Sequence, residues 1–250
     1  ELHIFKHLKP TLVLFVPQIA TQIYTVLDRT MIGAFCRDKS EVGYYEQAQK
    51  IVKLMLTIVT SLGTVMVPRM ASTFAKGDLE QVKKYIINSF KFTFMMAFPV
   101  MIGCILVAKE FVPIFFGNGY DKVIVLIQII SPIILFIGMS NILGTQYLLP
   151  ARKQKEYTIS VVCGAIINFI LNLILINKLN SIGASIATIV AEFLVAIVQL
   201  YYVRDLLKFT EIVSSTKNYF ISAVVMGVIT YLVNMIFSLS GVISVGVEVI

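Results

Sequence analysis

Residues 182–202 read IGASIATIVAEFLVAIVQLYY, twenty-one positions with a single charged side chain, Glu192. A helix rises 1.5 Å per residue, so this run covers about 30 Å, the hydrocarbon thickness of a bilayer. A membrane-spanning strand would need about half as many residues and an alternation of period two, which the run lacks. Six further apolar runs lie at 8–35, 44–71, 86–108, 123–149, 157–176 and 219–237, each nineteen residues or longer. The whole composition agrees. Hydrophobic residues make up 58% of the chain and charged residues 14%, with a mean hydropathy of +0.87. Soluble domains run near 45–50% and 25%. The fold class expected is an all-α integral membrane protein with about seven transmembrane helices. The breaks carry turn signals: Lys76-Gly77-Asp78, Gly117-Asn118-Gly119, Pro150 to Lys155 and Asn177 to Ser181 separate the runs. Pro17, Pro99 and Pro132 fall inside runs and predict kinks. Asp78 is placed to cap a short amphipathic stretch through Leu79, Val82 and Ile86, expected on the membrane surface.

The chain starts at Glu1 and stops at Ile250, nine residues into a new apolar run from Val242. Nine residues rise about 14 Å, too little to cross. A truncated eighth helix, and hence a piece of a longer protein, is expected. Charge then orients the bundle. Thirteen Lys and Arg fall on the side holding the N-terminus, in the groups around Lys6, Lys76, Lys153 and Lys208; five fall on the other, namely Arg37, Lys39, Lys109, Lys122 and Lys178. The positive-inside rule makes the N-terminal side cytoplasmic and leaves Cys36 outside, within reach of an impermeant thiol reagent. The net charge of +7 is then loop charge in a membrane chain, not a nucleic-acid patch.

Polar side chains inside the runs mark where lipid is absent. Gln18, Gln22, Thr25 and Arg29 follow steps of four, three and four, which keeps them on one helix face, with Asp28 about 100° away. Glu46, Lys50, Lys53, Thr57, Ser61 and Thr64 form a second continuous stripe. Two such stripes are expected to line a water-filled cavity, with the basic groups in its outer half. Plainer readings stand beside this: Arg29 as an interfacial anchor, Glu46 and Lys50 as a self-neutralising i,i+4 pair, and Asp28 as a partner for a cation on another helix. Asn168 with Asn172, and the small residues Gly183, Ala187 and Ala191, read as helix-packing devices. Glu192 is either a functional carboxylate or a hydrogen-bonded structural one.

Cys36, Cys104 and Cys163 lie far apart, and His3 and His7 have no ligand spacing, so neither a disulfide nor a metal site is expected. The chain holds no GxxxxGK[ST], HExxH or GxSxG pattern. No cofactor and no enzymatic activity are expected.

The segments Leu27-Asp28-Arg29-Thr30-Met31-Ile32-Gly33 and Val42-Gly43-Tyr44-Tyr45-Glu46-Gln47-Ala48-Gln49-Lys50 resemble the seventh and eighth helices of bacterial polysaccharide flippases. These are the Wzx-type, O-antigen flippases of the multidrug/oligosaccharidyl-lipid/polysaccharide exporter superfamily. Val67-Pro68-Arg69-Met70, Gln146 to Pro150, Asn168 to Asn172, and Ile182 to Thr188 followed by Glu192 resemble the same family in the same order. Asn177 and Asn180 stand where the family often has Pro and Gly. The resemblance implies a MATE-like transporter lobe: residues 1–202 as the second six-helix lobe, and 203–250 as the thirteenth helix and the start of the fourteenth. It implies a multi-pass protein of the bacterial cytoplasmic membrane whose partners are membrane lipid, a missing N-terminal lobe and a lipid-linked oligosaccharide cargo. That cargo, a glycan on a polyprenyl diphosphate, is anionic, and Arg29, Lys50 and Lys53 would supply counter-charge, with Gln18, Gln22, Glu46 and Asp28 beside them. A multidrug cation exporter of the same superfamily is the competing expectation; it would want an acidic cavity.

Overall fold

The computed structural model describes residues 26–237 and, ahead of them, Phe15, Ile19 and Gln22. All regular structure among these residues is helical. The truncated run from Val242, and the residues before Val26 apart from those three, lie outside the described part. Helix α1 covers residues 26–35. It is followed by α2 (Ser40–Thr60), α3 (Leu62–Ala75), α4 (Leu79–Phe116), α5 (Asp121–Ile130) and α6 (Ile133–Ser140). A π-helix (Asn141–Leu148) continues α6; then come α7 (Gln154–Leu179), α8 (Ser181–Val203) and α9 (Phe209–Phe237). Among the described residues five spans are long and apolar enough to cross a membrane, and a sixth arises if α2 and α3 count as one bent span.

The second expected helix is broken. α2 and α3 meet at Ser61 with a bend of 41°. The cause is local. Thr57, Thr60, Ser61 and Thr64 each donate a side-chain hydroxyl to a carbonyl three or four residues back, a habit that bends helices. Pro68 follows within α3 and withholds one more backbone donor.

The surface stretch expected at Leu79–Ile86 does not form a separate element. Asp78 does cap, its carboxylate accepting from the Gln81 amide at 2.9 Å. The helix it starts then runs unbroken for 38 residues, with Pro99 and Pro113 inside it. That is about 57 Å, well beyond one bilayer. Two of the three apolar residues that predicted a surface helix, Val82 and Ile86, are buried in protein instead, while Leu79 stays 55% exposed. Val82 and Ile86 are fully covered in a cluster with Phe90, Leu207 and Ile212, and Lys83 reaches Glu211 of α9 at 2.8 Å. Pro132 interrupts its span as expected, between α5 and α6. The polar break expected at Asn177–Ser181 shrinks to Asn180, since α7 runs on through Leu179.

The three connections assigned to the outer side sit at one end of the bundle. Glu41, at the start of α2, accepts from Lys122 in the first turn of α5 and from the Ser181 amide (3.2 Å) and hydroxyl (2.5 Å) at the start of α8. A carboxylate at the N-terminus of α8 also meets the positive end of its dipole. Lys39 donates to the Gly33 and Cys36 carbonyls at 2.6 and 3.1 Å, closing the open end of α1. At this exposed turn the Ser40 hydroxyl and amide hold the Asp38 carboxyl below the usual carboxylate range. Cys36, expected to be reachable from outside, is instead buried at 3% exposure. The turn folds it against Met31 and Ile32 in the core.

α7 and α8 form the tightest hairpin. Gly183, Ala187 and Ala191, the small-residue stripe, are all buried. At Gly183 a β-carbon would collide with the Leu175 carbonyl of α7, so only glycine permits this approach.

Candidate functional site

The polar residues of α1 and α2 divide into an open face and a partly open cavity. On the open face Glu46 Oε1 accepts from Arg29 at 3.5 Å and from Lys50 at 3.2 Å. One carboxylate thus faces two cations, and the face keeps a surplus positive charge. The Lys50 side chain is 60% exposed. Gln22 is helical and exposed; Gln18 and Thr25 lie outside the described residues.

The cavity measures about 220 Å³. Its polar wall consists of Asp28 of α1, Gln49 and Lys53 of α2, Ser140 of α6, Asn141 and Thr145 of the π-helix, Tyr157 of α7, and Thr188 and Glu192 of α8. Lys53 is half-buried. Lys50 and Lys53 therefore serve different surroundings, although they lie within one turn.

Asp28 is the hub behind this wall. Its carboxylate is 1% exposed and accepts three hydrogen bonds: from the Tyr45 hydroxyl at 2.8 Å, the Asn172 amide at 2.6 Å and the Thr188 hydroxyl at 3.0 Å. Gln49 donates to the Tyr45 oxygen at 2.8 Å, and Asn172 also donates to Asn168 at 3.0 Å. Four helices, α1, α2, α7 and α8, meet on one acid. Donors of this kind stabilise an ionised carboxylate, but they carry no full charge to balance it. The nearest balancing ammonium on the cavity wall is Lys53.

The sequence pointed to Asp28, Arg29, Glu46, Lys50 and Lys53 and missed Tyr45, Gln49, Thr188 and Asn141. Asn168 and Asn172 were read as packing residues; they do join helices, through Asp28. The available signal was the recurrence of single polar residues on otherwise apolar faces of α7 and α8. Among the described residues no group of three or more His, Cys, Asp or Glu could hold a metal ion.

A family model described as "Polysaccharide biosynthesis protein" matches residues 3–125. A protein of Escherichia coli named "Putative O-antigen transporter" is 26% identical over 193 residues, covering 76% of this chain and 46% of that one. The chain is similar to the polysaccharide flippases. The resemblance to Wzx-type flippases of the exporter superfamily extends to the fold. The structure titled "Lipid II flippase MurJ, inward closed conformation" superposes with a TM-score of 0.78 at 19% identity, over 93% of this chain and 49% of that one. An outward-facing multidrug MATE family transporter of the MOP superfamily gives 0.62 at 13% identity, over 90% and 53%. At these identities the two structures speak for the fold alone: a MATE-like, all-α, multi-pass membrane bundle. The chain spans about half the length of these relatives.

Proposed function

We propose that this chain is one half of a flippase that moves a polyprenyl-diphosphate-linked oligosaccharide across the cytoplasmic membrane by alternating access, in capsule or O-antigen assembly. Residues 1–202 are the second six-helix lobe, 203–250 the thirteenth helix and the start of the fourteenth, and the N-terminus is cytoplasmic. The observation that carries the reading is the surplus of positive charge on the open face, where Arg29 and Lys50 share Glu46. A diphosphate head group needs such counter-charge, while its prenyl tail stays in lipid. At about 4 Å and an effective dielectric near 20, a cation and a phosphate oxygen attract by about 4 kcal/mol before desolvation. Exposure of Lys50 lowers this further by screening. Sign matters more than side-chain length.

The test is surface glycan in cells lacking their own flippase, complemented with the full-length protein and normalised to its membrane level. Lys50→Glu is expected to abolish export and Lys50→Arg to retain most of it. Full export by Lys50→Glu would overturn the anionic-cargo reading. It would favour the multidrug cation exporter, which has one observation on its side, the carboxylates Asp28 and Glu192 on the cavity wall.

A further inference from the structure

The cavity behind the open face has a wall that the head-group reading does not use. Its volume, about 220 Å³, falls below the roughly 300–1,000 Å³ of pockets that take drug-sized ligands, which leaves room for one small ring. Ile133, Ile137, Val161 and Val195 supply apolar surface, and Thr145 and Tyr157 supply hydroxyls. Two amides on the wall are oriented by their neighbours. The Tyr45 hydroxyl gives its proton to Asp28 at 2.8 Å, so Gln49 must present its NH2 to the tyrosine oxygen. This turns Gln49 Oε1 the other way. That oxygen, on a residue 5% exposed, has no hydrogen-bond partner among the described residues. Asn141 shows the reverse. Its Oδ1 accepts from Gln146 at 3.1 Å and lies where a β-carbon on Gly63 would collide with it, which leaves its NH2 as the donor. Asn141 and Thr145 both come from the π-helix, a rare geometry that is frequent at functional sites.

A pyranose matches such a wall: it has a face of C–H groups and a rim of hydroxyls that each donate and accept. We propose that the cavity is a subsite for one sugar ring of the cargo, the ring next to the diphosphate. The proposal rests on the anionic-cargo reading above, which puts the diphosphate on the open face with Lys50. Around α2, Lys53 of the cavity wall lies about 40° from Gln49 and about 60° from Lys50, so wall and open face adjoin. Charge divides the two. The wall holds two carboxylates, Asp28 and Glu192, and one ammonium among its lining residues, which disfavours phosphate, whereas the open face has the surplus of cations. The head group stays outside and the neutral ring enters. Gln49 Oε1 accepts from one ring hydroxyl, the Asn141 NH2 donates to another, and the C–H face packs on Val161 and Val195. A site built to hydrogen-bond a hydroxyl rejects the analogue that lacks it, because its own buried polar groups are then left unpaired. The subsite thereby distinguishes a glycosylated carrier from the bare prenyl diphosphate, which the cations alone do not.

The experiment is binding to the full-length protein in nanodiscs. Farnesyl diphosphate is compared with farnesyl diphosphate carrying one glucose, one galactose or one N-acetylglucosamine. At least one sugar-bearing probe is expected to bind about tenfold tighter than the bare one, the gain of two net hydrogen bonds. Gln49→Met and Asn141→Leu, which keep the side-chain size and remove the amide, should each cut that gain to about threefold and leave the bare probe within about twofold. Lys50→Glu should abolish binding of every probe. Melting curves check that each variant folds. Thr145→Phe, which fills the cavity and alters neither amide, should remove the whole gain and serves where loss of an amide reduces folding. No gain from any of the three sugars, or a gain that survives both Asn141→Leu and Thr145→Phe, would overturn the subsite while leaving the head-group reading in place. Failure of the unaltered protein to bind any of the four probes would overturn both.

Discussion

Asp28 joins more of the bundle than any cation near it. Three donors from α2, α7 and α8 converge on its two oxygens. Truncation to alanine would remove the acceptor shared by the Tyr45 and Thr188 hydroxyls and the Asn172 amide. Buried polar groups left unpaired are costly, so Asp28→Ala should destabilise the protein by about 2–4 kcal/mol. The check is a melting curve of detergent-solubilised protein followed by size-exclusion chromatography. An unchanged transition would refute the hub role. At this scale the sequence was half legible. Helical spacing placed Asp28 off the Gln22–Arg29 face, and its environment proves different from that of Arg29. Its partners were out of reach because Asn172 and Thr188 lie 144 and 160 residues away, and periodicity reports faces, not which faces meet. Glu46 was legible as a partner of Lys50, while its second cation, Arg29, required the packing of α1 on α2.

At the scale of elements, apolar run length identified the spans, and proline marks only some of the places where they break, as Pro132 does between α5 and α6. Pro99 and Pro113 sit within an unbroken α4, whereas the 41° bend between α2 and α3 lies within a Ser/Thr cluster whose hydroxyls turn back on their own backbone. The surface helix predicted from Leu79, Val82 and Ile86 failed for a related reason. Amphipathicity shows that a face must be covered, but not whether lipid head groups or α9 cover it. The hairpin of α7 and α8 was read more successfully, since small residues at fixed spacing permit close approach and little else does. Its weak point is Gly183. Gly183→Val should push α8 off the Leu175 carbonyl and cost at least about 2 kcal/mol. Ala187→Ser, which adds one small polar atom within the same stripe, serves as the milder comparison. Comparable thermal transitions for Gly183→Val and the unaltered protein would show that the hairpin has slack.

For the whole molecule, the alternation of sides read from loop charges agrees with the contacts. Lys122 and Ser181 meet Glu41 at one end, and Lys83 meets Glu211 in the other half. Which end faces the cytoplasm is a matter of charge alone, and it can be tested away from buried Cys36. In a background lacking native cysteines, Asn118→Cys, on the exposed turn between α4 and α5, should react with an impermeant maleimide on intact cells. Gly77→Cys, on the exposed turn between α3 and α4, should react only after permeabilisation. The reverse pattern would invert the topology.

The junction at Glu41 also bears on how this protein can be altered by hand. Three helices begin there, α7 passes into α8 through Asn180 alone, and that residue adopts a left-handed conformation at φ 53°. A reporter or epitope spliced into that link would have to pry apart a shared carboxylate and a strained single-residue joint at once. Between α8 and α9, Arg204 and Asp205 are exposed and share no such carboxylate, so a graft belongs between these two residues, short of buried Leu207.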